Sequence, residues 1–206
     1  MTDLVVTDLA VERGGMPVLT GVSFRLSQGQ GLVLRGANGI GKTTLLRTIA
    51  GLQPQLSGQI AGAGERAGYA SHADGIKPAL TVAETLRFWA DLYRTELRDD
   101  VFELFELDNL RDRPAGTLSA GQGRRLGLAR LAVIGREVLL LDEPTVSLDA
   151  FSVKRFAGFL RDRHLARGGI AVIATHIDLG LDLPVLDLTP HRAALEAQGG
   201  SDEAFL

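Results

Sequence analysis

Leu32-Val33-Leu34-Arg35-Gly36-Ala37-Asn38-Gly39-Ile40-Gly41-Lys42-Thr43-Thr44 is the stretch whose reading decides the fold. A short unbroken apolar run enters a glycine-rich turn, and the turn leads into Leu45-Leu46-Arg47-Thr48-Ile49-Ala50, a helix-forming run. The turn matches G-x-x-x-x-G-K-[ST] in the strand–loop–helix context that the pattern requires. Its glycines let the backbone curl so that successive N–H groups point inward at phosphate oxygens. A helix starting near Lys42 adds its positive end. The expected phosphate-binding residues are therefore Gly36, Ala37, Asn38, Gly39, Ile40, Gly41, Lys42, Thr43 and Thr44. Lys42 would neutralise β/γ-phosphate charge, and the Thr43 hydroxyl would ligate Mg2+. Gly51 is expected to cap the helix, with Pro54 beyond it.

Two further runs, Val138–Leu141 and Ile170–Ala174, are also apolar without alternation. Continuous apolar character suits strands of a parallel sheet covered on both faces. In such sheets ligands gather at the carboxyl ends of the strands, which here follow Leu34, Leu141 and Ala174. The first thirty residues differ. Leu4–Val11 and Val18–Leu26 alternate more and are split by Gly14-Gly15, so they read as antiparallel strands of a side sheet. From about Thr81 to Thr117 the pattern turns helical: Thr81 and Glu84 fit a capping box, Val82, Leu86, Ala90 and Tyr93 follow on one face, and Val101, Leu104 and Phe105 suggest a second helix. The expected fold class is α/β, a single domain over residues 1–206. Its parts are an antiparallel β subdomain (about 1–30), a parallel core (about 31–80 and 136–195), an inserted helical subdomain (about 81–135) and a flexible tail (197–206).

After the second apolar run stand Asp142 and Glu143. Asp142 is placed to hold Mg2+ through a coordinated water, as the acid at the end of a nucleotide-binding strand does. Glu143, one residue on, would face the γ-phosphate and polarise the attacking water. Phosphoryl transfer asks little covalent chemistry of a protein, so a positioned base and charge neutralisation suffice.

The bulk composition removes other classes. A net charge of −3 gives no basic face for nucleic acid. With no cysteine, disulfides and thiolate metal sites are excluded. The acidic N-terminus does not read as a signal peptide. No run approaches the roughly 18 apolar residues of a membrane span, so a membrane role is expected to come from other chains.

Leu118-Ser119-Ala120-Gly121-Gln122 precedes a helix containing Arg124, Arg125, Leu126, Ala129 and Arg130. A serine and a glycine at a helix start make a second anion site. Here the chain resembles the ABC ATPase family, whose signature is LSGGQ, with Ala120 in place of one glycine. The resemblance runs from about Leu4 to Asp187 and implies a P-loop NTPase fold, with ATP and Mg2+ as ligands. It also implies a homodimer in which Ser119, Gly121 and Gln122 of one copy cover the phosphate loop of the other. Ser147-Leu148-Asp149 matches the family's D-loop, so Asp149 is expected at the dimer interface. His176 matches the switch histidine that senses γ-phosphate, which makes Glu143, His176 and Lys42 the expected catalytic residues. Two positions depart from the family pattern. The adenine-stacking aromatic falls on Arg13, whose flat guanidinium can also stack on a base. The glutamine of the Q-loop falls on His72, which then joins Thr43 and Asp142 near Mg2+ and titrates near neutral pH.

The segment His72-Ala73-Asp74-Gly75-Ile76-Lys77-Pro78-Ala79-Leu80-Thr81 resembles one branch of that family, the ATP-binding subunits of haem exporters in cytochrome c maturation. LSAGQ, Arg13 and the short length agree, whereas Ser71 and Thr85 stand where that branch is expected to have Gly and Asn. This implies integral membrane subunits as partners, a peripheral place on the cytoplasmic face of the inner membrane, and hydrolysis coupled to haem export or to release of a haem-loaded chaperone. Direct haem binding is not expected: His72 and His176 are committed, and His164 and His191 lack an apolar pocket signature. An ABC ATPase serving another small-molecule transporter stays open as an alternative. A soluble ABC-type ATPase of DNA repair or translation usually carries a coiled-coil insertion or a second cassette.

Overall fold

Every residue of the strands Val138–Asp142 and Ile170–Ala174 is buried, and these strands lie side by side in the middle of the protein. The computed structural model describes residues 2–71 and 75–193. In chain order the elements are β1 (Leu4–Arg13), β2 (Met16–Leu26), β3 (Gly31–Arg35), α1 (Lys42–Ile49), β4 (Ser57–Ala61) and β5 (Ala67–Ala70). There follow α2 (Val82–Tyr93), α3 (Asp100–Leu104), α4 (Ala120–Val133), β6 (Val138–Asp142), α5 (Ala150–Gly158), β7 (Ile170–Ala174) and β8 (Val185–Asp187).

The larger sheet is wholly parallel, in the order β5-β6-β7-β3-β8. Because strand side chains alternate faces, β6 and β7 divide their residues between two cores. Leu139, Leu141, Ala171 and Ile173 face a core shared with α2, α4 and α5, while Val138, Leu140, Ile170, Val172 and Ala174 face one shared with α1 and the side sheet. Burial on both faces is why these strands lack polar alternation.

The side sheet is antiparallel, in the order β2-β1-β4. β1 and β2 meet at Gly14-Gly15, both at positive φ (62° and 80°), between the paired residues Arg13 and Met16. Two left-handed residues match the twist of a tight hairpin, and glycine adopts them at least cost. The third strand, β4, went unread because Ser57-Gly58-Gln59-Ile60-Ala61 has little apolar content.

Between β5 and β6 lies the helical segment. α2 begins at the Thr81/Glu84 capping box, with both reciprocal hydrogen bonds formed, and ends at Arg94 in a left-handed conformation. The second helix is shorter than its sequence suggests: α3 has five residues, and the chain up to α4 is built of turns and 3-10 segments. Arg111 joins that irregular stretch, pairing with Asp99 and Asp108 and lying over Phe102. On α4, Arg130 lies over Trp89 of α2 and donates to the Tyr69 carbonyl of β5, tying helix to helix and to sheet.

The expected tail, 197–206, and His72 lie outside the described residues.

Candidate phosphate-binding and hydrolysis site

In sheet order β6, β7 and β3 are consecutive, about 4.8 Å apart. The loops that leave their carboxyl ends must therefore share one edge. That edge gathers Gly36–Lys42 after β3, Glu143 after β6 and His176 after β7.

The phosphate loop is shaped for an anion. α1 starts at Lys42 from an N-cap glycine, Gly41, with no side-chain cap and no acid in its first turn. Its first N–H groups thus keep their positive end for a ligand. Gly41 has φ 120°, and a Cβ there would come within 3.0 Å of the Leu19 side chain. The other end of the helix closes as expected: Gly51 donates to the Thr48 carbonyl and Leu52 to that of Arg47, the Schellman pattern.

The Lys42 ammonium is held over this loop. Its Nζ donates to the carbonyl oxygens of Gly36 (2.7 Å) and Ala37 (3.3 Å), and lies 3.2 Å from Nε2 of His176. The same Nε2 is 2.9 Å from Oδ1 of Asn38 and 3.5 Å from Oε1 of Glu143. One ring nitrogen cannot accept from Lys42 and donate to an oxygen at once. An anion that engages Lys42 therefore frees Nε2 to carry the ring proton and donate to an oxygen.

Glu143 takes a left-handed backbone conformation, φ 46°. For a residue with a side chain this costs about 1–3 kcal/mol and persists only where neighbours fix it. Its N–H donates to the Ala174 carbonyl of β7, and its carbonyl accepts from Nη2 of Arg124. The strained turn aims the carboxylate at His176 rather than along the strand.

Asp142 is 4% exposed and accepts a hydrogen bond from the phenol of Tyr69 at 3.3 Å. Burial, then the Asp142 charge and this bond, push the Tyr69 phenol up to about 12, so it stays a donor at neutral pH. Thr43 and Asp142 line one cavity of about 250 Å³, with Arg13, Asn38, Gly39, Gly41, Lys42, Thr44 and Glu143. A hydroxyl and a carboxylate are hard oxygen donors. Among the described residues no cluster of three or more His, Cys, Asp or Glu could cage a metal. Two protein oxygens, with phosphate and water completing the shell, fit Mg2+, which keeps several waters.

A second cavity, of about 410 Å³, adjoins the first through Arg13, Asn38 and Gly39. Met16, Pro17 and Val18 of the side sheet line one part of it, and Thr189, Arg192 and Ala193 another. Arg13 thus stands where a base beside the phosphates would lie. Thr189 and Arg192 were missed by sequence reasoning. They reach the site because the segment after β8 folds back on β2, with Ala193 donating to the Val18 carbonyl.

Ser119, Gly121, Gln122 and Asp149 line neither cavity. Ser119 caps α4 in a capping box with Gln122, and a Cβ at Gly121 would come within 3.1 Å of the Ser147 carbonyl oxygen. Asp149 caps α5 by accepting from the Ser152 N–H, which holds its carboxyl below the usual range.

The ABC transporter family matches residues 19–146, more than half of the chain. The chain belongs to that family and is an ABC-type ATPase, which couples ATP hydrolysis to transport. Its relatives include proteins named cytochrome c biogenesis ATP-binding export protein CcmA. That of Roseobacter denitrificans is 60% identical over 98% of each chain, and that of Paracoccus denitrificans 59% identical over the whole of both. Among solved structures, an ABC transporter ATP-binding protein of Pyrococcus furiosus superimposes with a TM-score of 0.82 at 25% identity. The overlap covers 93% of this chain and all of that one.

Proposed function

We propose that the chain binds ATP with Mg2+ at the shared strand edge and hydrolyses it to drive an export step of cytochrome c biogenesis. One observation carries the catalytic part: Lys42, His176 and Glu143, brought from three strand ends, stand in a continuous chain of polar contacts beside the phosphate loop. The triphosphate lies in the Gly36–Thr44 turn, where Lys42 exchanges its carbonyl partners for β/γ-phosphate oxygens. Thr43 and Asp142 hold Mg2+, which when bound neutralises charge on the phosphates. The Glu143 carboxylate accepts a hydrogen bond from a water and orients it for attack on the γ-phosphorus. The bond to the β–γ bridging oxygen breaks as the new P–O bond forms, and the water's proton passes towards Glu143. His176, its Nε2 released from Lys42 and carrying the ring proton, donates to a γ-phosphate oxygen. The base lies in the second cavity against Arg13.

The site is completed by a second copy, whose Ser119, Gly121 and Gln122 close over the γ-phosphate and whose Asp149 lies at the interface. Closure by a partner accounts for why these residues line no cavity of their own chain. No described helix is long and apolar enough to cross a membrane. The work is delivered to integral membrane subunits at the cytoplasmic face of the inner membrane, a reading supported by the relatives named as export proteins. Haem export, or release of a haem-loaded chaperone, is the step so driven, and near-60% identity to the named export proteins across full length supports it. The four histidines are given no haem-ligating role.

Replacing the chromosomal gene by one encoding Glu143→Gln tests both levels. Loss of covalently haem-bearing c-type cytochromes, with apoproteins still made and a purified variant that binds ATP without turnover, is the expected result. Normal cytochromes c would overturn the pathway; parental turnover would overturn the role of Glu143.

A further inference from the structure

We infer that Arg124 is a positioning residue for Glu143, holding the hydrolytic carboxylate in place from the first turns of the signature helix. Arg124 is 3% exposed, although it lies only five residues after Ser119. A guanidinium buried to that degree needs hydrogen-bond acceptors around it, and three backbone oxygens are among those it meets. Nε donates to the Pro144 carbonyl at 2.8 Å, Nη2 to the Glu143 carbonyl at 2.9 Å, and Nη1 to the Ser71 carbonyl at 2.6 Å. Two of these oxygens belong to the strained turn that aims Glu143, and the third directly precedes His72.

The chemistry suits arginine alone. A planar guanidinium presents its donors in a fixed fork, so three carbonyls held by one fork are fixed relative to each other; a lysine ammonium is a point charge on a flexible stem. Glu143 at φ 46° is held through both of its backbone polar groups, the N–H on β7 and the carbonyl on Arg124. Removing the second clamp lets the peptide relax and rotates the carboxylate away from His176, without touching the phosphate loop. Arg124 also makes the signature helix and the hydrolytic turn one mechanical unit, so a ligand that moves Ser119 moves Glu143.

The inference rests on Glu143 as the water-orienting base, and the test separates the two. Steady-state hydrolysis and ATP affinity are measured for the parent, Arg124→Gln, Glu143→Gln and the double variant. Arg124→Gln should lower kcat about tenfold or more with ATP affinity changed less than about twofold, yet slow the Glu143→Gln protein less than about twofold, because groups acting as a unit are not additive. Equal fold losses in both backgrounds, or an unchanged kcat, would overturn the role of Arg124. A Glu143→Gln protein with parental turnover would instead overturn the base. Should Arg124→Gln not accumulate folded, the cycle is read with Arg124→Lys, which keeps the charge but loses the fork, and the same outcomes decide.

Discussion

The Lys42 ammonium and the His176 imidazole, 134 residues apart in sequence, meet at 3.2 Å. Lys42 opens the helix after β3, and His176 follows β7, the strand hydrogen-bonded to β3. The pair joins the group that receives phosphate charge to the group that borders the base, since His176 Nε2 is also 3.5 Å from Glu143. In the proposed mechanism binding and hydrolysis are therefore linked through one ring nitrogen.

Lys42→Ala should weaken ATP binding by about tenfold or more, because an ammonium lost from a phosphate cradle removes a charge-assisted bond of roughly 1.5–3 kcal/mol. The loop also loses the clamp on the Gly36 and Ala37 carbonyls. Equilibrium titration with a fluorescent ATP analogue reads the effect. Undiminished affinity would mean that the loop does not hold the triphosphate.

Arg192→Ala should raise the KM for ATP about threefold to tenfold and leave kcat near parental, since its side chain lines the cavity beside Arg13 and not the one around Lys42. Inhibition by inorganic tripolyphosphate should not change, because that ligand has no base. A parallel loss of tripolyphosphate binding would show that the effect reaches the phosphate loop.

Ser119→Ala should act twice. It removes the hydroxyl that caps α4, which costs about 1 kcal/mol of stability, read as a lower urea midpoint. It should also lower hydrolysis far more than that loss explains, because in the proposed dimer the same hydroxyl closes over the partner's γ-phosphate. Ser119→Asp, which also caps helices, should restore the midpoint but not the hydrolysis. Full recovery of both would confine Ser119 to capping.

His164 gives a pH dependence of stability. Burial against Phe159 holds its pKa below the ordinary 6.5, so the folded chain keeps the ring neutral where the unfolded chain takes up a proton. Its contribution is complete above pH 6.5 and is lost as pH falls towards the lowered folded value. The urea midpoint of the parent should drop between about pH 7.5 and 5.5, and that of His164→Gln should drop less, as glutamine does not titrate. Equal slopes would assign the pH dependence to other groups.

The phosphate turn, the Thr81/Glu84 capping box and the three continuous apolar strands were legible because each depends on neighbours within a few residues. A capping box needs only positions N-cap and N3, and Thr81/Glu84 and Ser119/Gln122 both form as such pairs. β4, β5 and β8 were not marked, since short strands at or near a sheet edge need no long apolar run. The second helix suggested by Val101, Leu104 and Phe105 forms as α3 (Asp100–Leu104), but it stays short, with Glu106 in a left-handed conformation just beyond its end. His72 lies outside the described residues, so its place beside Thr43 and Asp142 rests on the family pattern alone.

By itself the sequence determined the phosphate loop, the acid pair Asp142-Glu143 and the capped signature helix, because local chemistry at fixed spacing carries them. The tertiary structure alone decided that Tyr69 would hold Asp142, that Arg124 would clamp the turn at Glu143, and that Arg192 would reach the cavity beside Arg13. These groupings bring together residues from 19 to 179 positions apart, on elements that sheet order and helix packing make neighbours. No local pattern encodes such a meeting, since the partners become neighbours only when the cores on the two faces of the parallel sheet are filled.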